Sequence, residues 1–155
     1  MHPFLIGIDP GTACGWAVLS ASGIRMASGT WALRPRRHEG GGMRYVRVRR
    51  ALEELLDTYA GASVAYEEVR RHSGTDAAQI YGGIVAAITA LCEVRGVEYV
   101  GVPVGTVKKL ATGKGNAGKP AMIAAAYAKW FPSVVLTDDE ADALWVAEAH
   151  RQGLS

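Results

Sequence analysis

The spacing of the apolar runs constrains this chain more than any other feature. Three runs fall within the first 33 residues, Phe4–Asp9, Gly15–Leu19 and Ile24–Leu33, joined by short glycine-containing links. Links that short predict two hairpins and three antiparallel strands. Two further strands are predicted at Ser63–Val69 and Val97–Val102, each preceded by a helical stretch. Strands separated by helices pair in parallel, because a parallel crossover needs a dozen or more residues. The pattern therefore predicts a five-stranded mixed sheet, three strands antiparallel and then two parallel, with helices on both faces of an α/β fold.

The helices are read from periodicity and punctuation. Met43, Val46, Leu52, Leu55, Leu56 and Tyr59 follow a helical stripe over Met43–Tyr59. Thr75–Val94 is a long helix with Ser73 or Thr75 as its start signal. Val104–Ala111 is a short helix, and Thr112–Gly118 a loop rich in glycine and lysine. Lys119–Trp130 carries Pro120 in its first turn, and Asp138–Arg151 closes the chain. With 155 residues, no repeats and no long linker, residues 1–155 are expected to form one domain. Glycines are expected to break every apolar run short of the ~20 residues of a membrane span. The first run is interrupted by Asp9 and lacks a basic flank, so no signal peptide is expected. Cys14 and Cys92 sit in unlike contexts without metal-ligand spacing, which predicts two reduced thiols and a cytoplasmic protein.

A net charge of +2 conceals strong segregation. Arg34, Arg36, Arg37, Arg44, Arg47, Arg49 and Arg50 crowd one stretch with a single acid, Glu39. Lys108, Lys109, Lys114 and Lys119 form a second group. The acids lie apart, at Asp9, Glu67, Glu68 and Asp138–Asp142. Cations gathered in patches suit a polyanion, and gathered carboxylates suit hard cations. Either group alone could equally be a solvated face.

Several acids have a second reading. An Asp before Pro-Gly is a common turn former. Asp138 and Glu140 suit a helix first turn, where the dipole favours negative charge. Asp139 and Asp142 are three apart and share one helix face. Glu67 and Glu68 alternate across their strand, so one of them at most faces a site. His150 reads as a helix C-terminal residue rather than a ligand.

Ile6-Gly7-Ile8-Asp9-Pro10-Gly11-Thr12 with Gly15-Trp16-Ala17-Val18 resembles the first hairpin of the RuvC family of Holliday-junction resolvases, which has the RNase H-like fold. Ala65-Tyr66-Glu67-Glu68-Val69 is similar to that family's strand with a single essential glutamate, and Asp139-Glu140-Ala141-Asp142-Ala143-Leu144 to its closing helix. Gly113–Asn116 followed by Lys119 resembles the loop before its penultimate helix, particularly in phage-borne members. The resemblance spans almost the whole chain. It implies catalytic, metal-holding carboxylates at Asp9, Glu67, Asp139 and Asp142. It further implies two Mg²⁺ ions, replaceable by Mn²⁺, and a lysine near the scissile phosphate at Lys119. The implied function is paired nicking of four-way junctions by a homodimer in the cytoplasm of a bacterial or phage-infected cell, on nucleoid DNA. Arg44, Arg47, Arg50, Arg70, Arg71, Lys108, Lys109, Lys114 and Lys119 are the expected DNA contacts. Arg70 departs from the family, many members of which carry an aromatic residue there, and Tyr81 is a candidate substitute. Small residues along Thr75–Val94 (Gly82, Gly83, Ala86, Ala87, Ala90) are the expected dimer surface.

Three other readings stay open on the sequence. Flap or general branched-DNA cleavage fits the same residues, and a catalytically idle DNA-binding module fits the same fold. Asp9-Pro10-Gly11-Thr12 is also similar to the phosphate loop of sugar kinases and actin-like proteins, which need two such domains.

Overall fold

The structure, a computed structural model, describes residues 1–132 and 136–155. Its strands are β1 (Phe4–Asp9), β2 (Ala13–Ser20), β3 (Arg25–Ala32), β4 (Ser63–Glu68) and β5 (Tyr99–Pro103). Its helices are α1 (Met43–Thr58), α2 (Thr75–Arg95), α3 (Val104–Thr112), α4 (Lys119–Trp130) and α5 (Asp138–Arg151). The sheet order is β3-β2-β1-β4-β5. β1 pairs antiparallel with β2 and parallel with β4, β2 pairs antiparallel with β3, and β4 pairs parallel with β5. This is the five-stranded mixed sheet that the run spacing predicts, in the order that the resemblance to an RNase H-like family implies.

Strand alternation divides the core in two. Ile6, Ile8, Val18 and Val64 face α1 and α2, against Val48, Leu52, Ile84, Ile88 and Leu91. Ala17, Leu19, Ala65 and Val102 face α5, with Val107 of α3 and Met122 and Ala126 of α4. Ile6, Ile8, Leu52 and Ile84 are fully enclosed, each contributing roughly 1.5–3 kcal/mol by transfer out of water. On β1, Leu5, Gly7 and Asp9 then share the α5 side. Gly7 lets that helix lie directly on the strand: a Cβ there would stand 2.5 Å from the Ala147 amide nitrogen. Gly15 of β2 admits the Asp139 carbonyl in the same way.

The structure revises several sequence expectations. The buried stripe of α1 is Val48, Leu52 and Leu56, whereas Val46 is exposed. The N-cap of α2 is Gly74, with no side-chain cap, rather than Ser73 or Thr75. At 21 residues α2 does reach the length and apolar composition of a membrane span. Ile84, Ile88, Leu91 and Cys92 of this helix are buried in the core, while Ala78, Gly82, Ala86 and Ala90 are exposed. Cys14 and Cys92 are free and buried, and burial pushes their thiols up to about 12 and about 11.

Candidate active site

Strand period and parallel register bring the first two acids together. Ile8 stands opposite Tyr66 in the β1–β4 ladder, so Asp9 and Glu67 follow side by side at the same end of the sheet. Ala65 packs toward α5, and Glu67, two residues on, points the same way. Glu68 points to the other side, half exposed, and pairs with Arg70 at 3.2 Å. The alternation thus places Glu67, and not Glu68, beside Asp9.

The other two carboxylates come from the start of α5. Thr137 is its N-cap and accepts from the Glu140 amide at 3.1 Å. Asp138 sits in the first turn and bridges to Lys119 Nζ at 3.1 Å. Asp139 and Asp142 face the sheet. Carboxylate oxygens of Asp9, Glu67 and Asp142 all lie within 4.8 Å of one another. Asp139 lies beside Asp9, close enough for each to shift the other's pKa. Lys108, half-buried on α3, lies close enough to lower the pKa of Glu67 and Asp142.

Crowded acids in a dry place resist ionisation. Burial, then the charges of Glu67, Asp142 and Asp139, hold Asp9 well above the usual carboxylate range. Burial and Asp142 push Glu67 up to about 7, against the pull of Lys108. Burial, Asp138 and Asp139 raise Asp142 to about 6. Asp139 is raised by burial and by Asp138, with Asp9 and Lys119 opposing. A divalent cation relieves all of these at once, and an all-oxygen carboxylate set is what a hard ion such as Mg²⁺ prefers. The donor set therefore fits the group that the resemblance implies.

Glu140 lies in the first turn of α5, as its sequence position suggests, and is only 6% exposed. Ser28 Oγ of β3 donates to it at 2.6 Å, Arg25 Nε donates to the same Ser28 hydroxyl at 2.7 Å, and Arg25 also lies 3.8 Å from Glu140. This anchor ties the start of α5 to β3. The only sequence signal was Thr-x-x-Glu at Thr137–Glu140, a capping-box spacing. His150 lies in the last turn of α5, bonded to Ser63 Oγ at 2.6 Å at the far end of β4 from the acids.

Among the described residues, the expected DNA contacts divide into free and engaged cations. Arg50, Arg71, Lys109 and Lys114 are exposed, and Arg70 and Lys119 are exposed but paired with Glu68 and Asp138. Arg47 is held by both Glu39 carboxylate oxygens at 2.6 Å and fastens the loop before α1. Arg44 is half-buried with its Nε enclosed and without a partner among the described residues. Tyr81 is turned inward, bonded to the backbone at Glu67 and Val69.

The profile of the family described as crossover junction endodeoxyribonuclease RuvC matches residues 5–150. A crossover junction endodeoxyribonuclease RuvC of Nitratidesulfovibrio vulgaris is 29% identical over 119 residues, 74% of this chain and 70% of its own. The structure of Thermus thermophilus RuvC in complex with a Holliday junction substrate superposes with a TM-score of 0.84 at 23% identity, covering 99% of this chain and 98% of that one. The yeast mitochondrial Holliday junction resolvase gives 0.66 at 15% identity, covering 96% and 77%. The family profile runs from β1 into the last helix and takes in all four clustered carboxylates. The chain belongs to the RuvC family of crossover junction endodeoxyribonucleases.

Proposed function

We propose that residues 1–155 form one nuclease domain that cuts four-way DNA junctions, using Mg²⁺ held by Asp9, Glu67, Asp139 and Asp142. The observation that carries this reading is the convergence of Asp9, Glu67 and Asp142 oxygens within 4.8 Å, with Asp139 beside Asp9. A bound pair of divalent ions supplies Lewis acidity and charge neutralisation at the scissile phosphate. Asp9 and Glu67 bind from rigid strand ends, and Asp139 and Asp142 from a capped helix. Lys119 Nζ, at the rim, exchanges Asp138 for a phosphate oxygen and steadies developing charge. Arg44, Arg50, Arg70, Arg71, Lys109 and Lys114 take the backbone phosphates, with Lys108 nearer the carboxylates. Each chain holds one carboxylate set among its described residues, and resolution takes two opposed nicks, so two copies act together. The exposed small residues of α2 support a two-fold contact there. The cytoplasm, on nucleoid DNA, is the proposed place of action.

Four-way, three-way, flap and linear duplex substrates offered side by side, with and without Mg²⁺ or Mn²⁺, test this. Paired symmetric nicks on the four-way junction, only with metal, are expected. Preferential cutting of flaps replaces the substrate assignment, and binding without cutting replaces the enzyme by a DNA-binding module. Sedimentation equilibrium tests the dimer: a strict monomer that still makes paired nicks overturns it.

A further inference from the structure

The β1–β4 ladder lacks a rung next to the site. Gly7 is opposite Ala65 and Ile8 opposite Tyr66. The Val64 amide donates to Glu98 at 2.9 Å on the β5 side. Backbone groups alternate edges along a strand, so those of Ala65, Glu67 and Val69 face β1. Carried one step further, the register would give the Glu67 carbonyl the amide of residue 10. That residue is Pro10, which has no N–H, and β1 ends at Asp9. The two strands part there around a cleft of about 410 Å³ lined by Pro10, Gly11, Thr12, Val69, His72 and Tyr81, among others.

The Tyr81 hydroxyl, reaching in from α2, fills the gap. It donates to the Glu67 carbonyl at 2.8 Å and accepts from the Val69 amide at 2.9 Å. Its ring packs against His72 at 4.8 Å between centroids, and His72 Nε2 is itself 3.2 Å from the Val69 carbonyl. One hydroxyl therefore does for the strand what the turned-away β1 does not. We propose that Tyr81 is a positioning residue: it keeps the Glu67 backbone in strand geometry beyond the end of β1 and so aims the Glu67 carboxylate at Asp9 and Asp142. This rests on the metal-dependent reading of the site. It also explains how β1 and β4 diverge to make room for cations without loosening Glu67.

The test compares Tyr81→Phe with the wild type and with Tyr99→Phe, which loses a hydroxyl bond to Glu93 on the surface. Mn²⁺ binding is measured calorimetrically on the metal-free proteins, alongside the Mn²⁺ dependence of junction cleavage, junction binding in EDTA and thermal stability. Tyr81→Phe is expected to bind Mn²⁺ about tenfold more weakly and to need about tenfold more for half-maximal cleavage, the effect of orphaning a backbone carbonyl beside a ligand. Junction binding in EDTA should be unchanged, and Tyr99→Phe should bind Mn²⁺ normally. Wild-type Mn²⁺ affinity in Tyr81→Phe overturns the inference while leaving the proposed function intact. A wild-type protein that binds no Mn²⁺ overturns both. A second measurement needs no variant: the Val69 amide should exchange slowly with D₂O, and exchange as fast as at exposed Arg71 refutes the bond.

Discussion

Replacing Gly7 by alanine tests whether the carboxylate geometry depends on α5 lying directly against β1. The new Cβ would stand 2.5 Å from the Ala147 amide nitrogen and 2.8 Å from the Ala147 Cβ, where ordinary contact begins near 3.4 Å. The Ala143 carbonyl oxygen would stand closer still, so relief requires more than the roughly 0.9 Å between 3.4 and 2.5, and what must move is helix backbone. α5 is wedged between the sheet, α3 and α4, and its residues from Ala143 to Ala149 are buried, so it shifts as a body. Overpacking of this kind costs about 1–3 kcal/mol. For a domain of this size that lowers Tm by roughly 3–9 °C, at about 3 °C per kcal/mol. Asp142 immediately precedes the contact at Ala143 and moves with it. A misplacement near 1 Å costs about 10²-fold in rate. Calorimetry and single-turnover cleavage of a four-way junction read the two effects separately. Gly105→Ala, with nothing within 4 Å of the added methyl and outside the proposed dimer surface, is the control and should leave the cleavage rate of the folded protein unchanged. A Gly7→Ala protein with wild-type Tm and rate would refute the close helix–strand contact and the positional argument built on it.

Asp9→Asn, Glu67→Gln, Asp139→Asn and Asp142→Asn should each reduce cleavage by orders of magnitude while junction binding persists or tightens; Glu68→Gln should be nearly silent, and full activity in Asp142→Asn removes it from the site. Because Glu67 is raised to about 7 and Asp142 to about 6, the folded metal-free protein holds more protons than the unfolded chain across this range. Its stability should therefore fall as pH rises from about 4 to 7, and added Mg²⁺ should raise Tm more at pH 8 than at pH 5, as differential scanning fluorimetry will show. Arg50→Ala or Lys109→Ala should weaken binding to all sequences and lower the salt slope by about one, whereas Arg47→Ala should instead loosen the loop at Glu39, seen as faster proteolysis before α1. Ser28→Ala should destabilise the protein by about 1–3 kcal/mol in urea unfolding, because it strips a partner from the buried Glu140 carboxylate.

The candidate site was legible partly from periodicity and partly from the family resemblance, which alone chose Glu67 over Glu68. Asp9 stands out because it ends an apolar run, strand alternation lets only one of Glu67 and Glu68 face a site, and Asp139 and Asp142 share a face by their spacing. What escaped depends on partners far along the chain. Glu140 looks like a surface acid until β3 supplies Ser28, 112 residues away. Arg47 looks like a phosphate ligand until the loop before α1 folds Glu39 onto it. The α1 stripe is drawn through Val46, but α1 packs with Val48 inward, because the neighbouring α2 decides which face is covered. Gly7 and Gly15 mark close approach in a strand, though nothing local says that the backbone approaching both belongs to α5. Tyr81 carried no local signal of its role, which follows from an amide missing at Pro10.

The placement of Asp139 and Asp142 on α5 has a consequence in time as well as space. Asp9 and Asp139 are separated by the entire rest of the fold, and the helix that joins them also fills the core against β1, β2 and α4. A chain made only as far as α4 carries Asp9 and Glu67 but neither Asp139 nor Asp142, so the proposed metal site stays incomplete until α5 is present. On that reading the contact that completes the carboxylate set is the same one that completes the core.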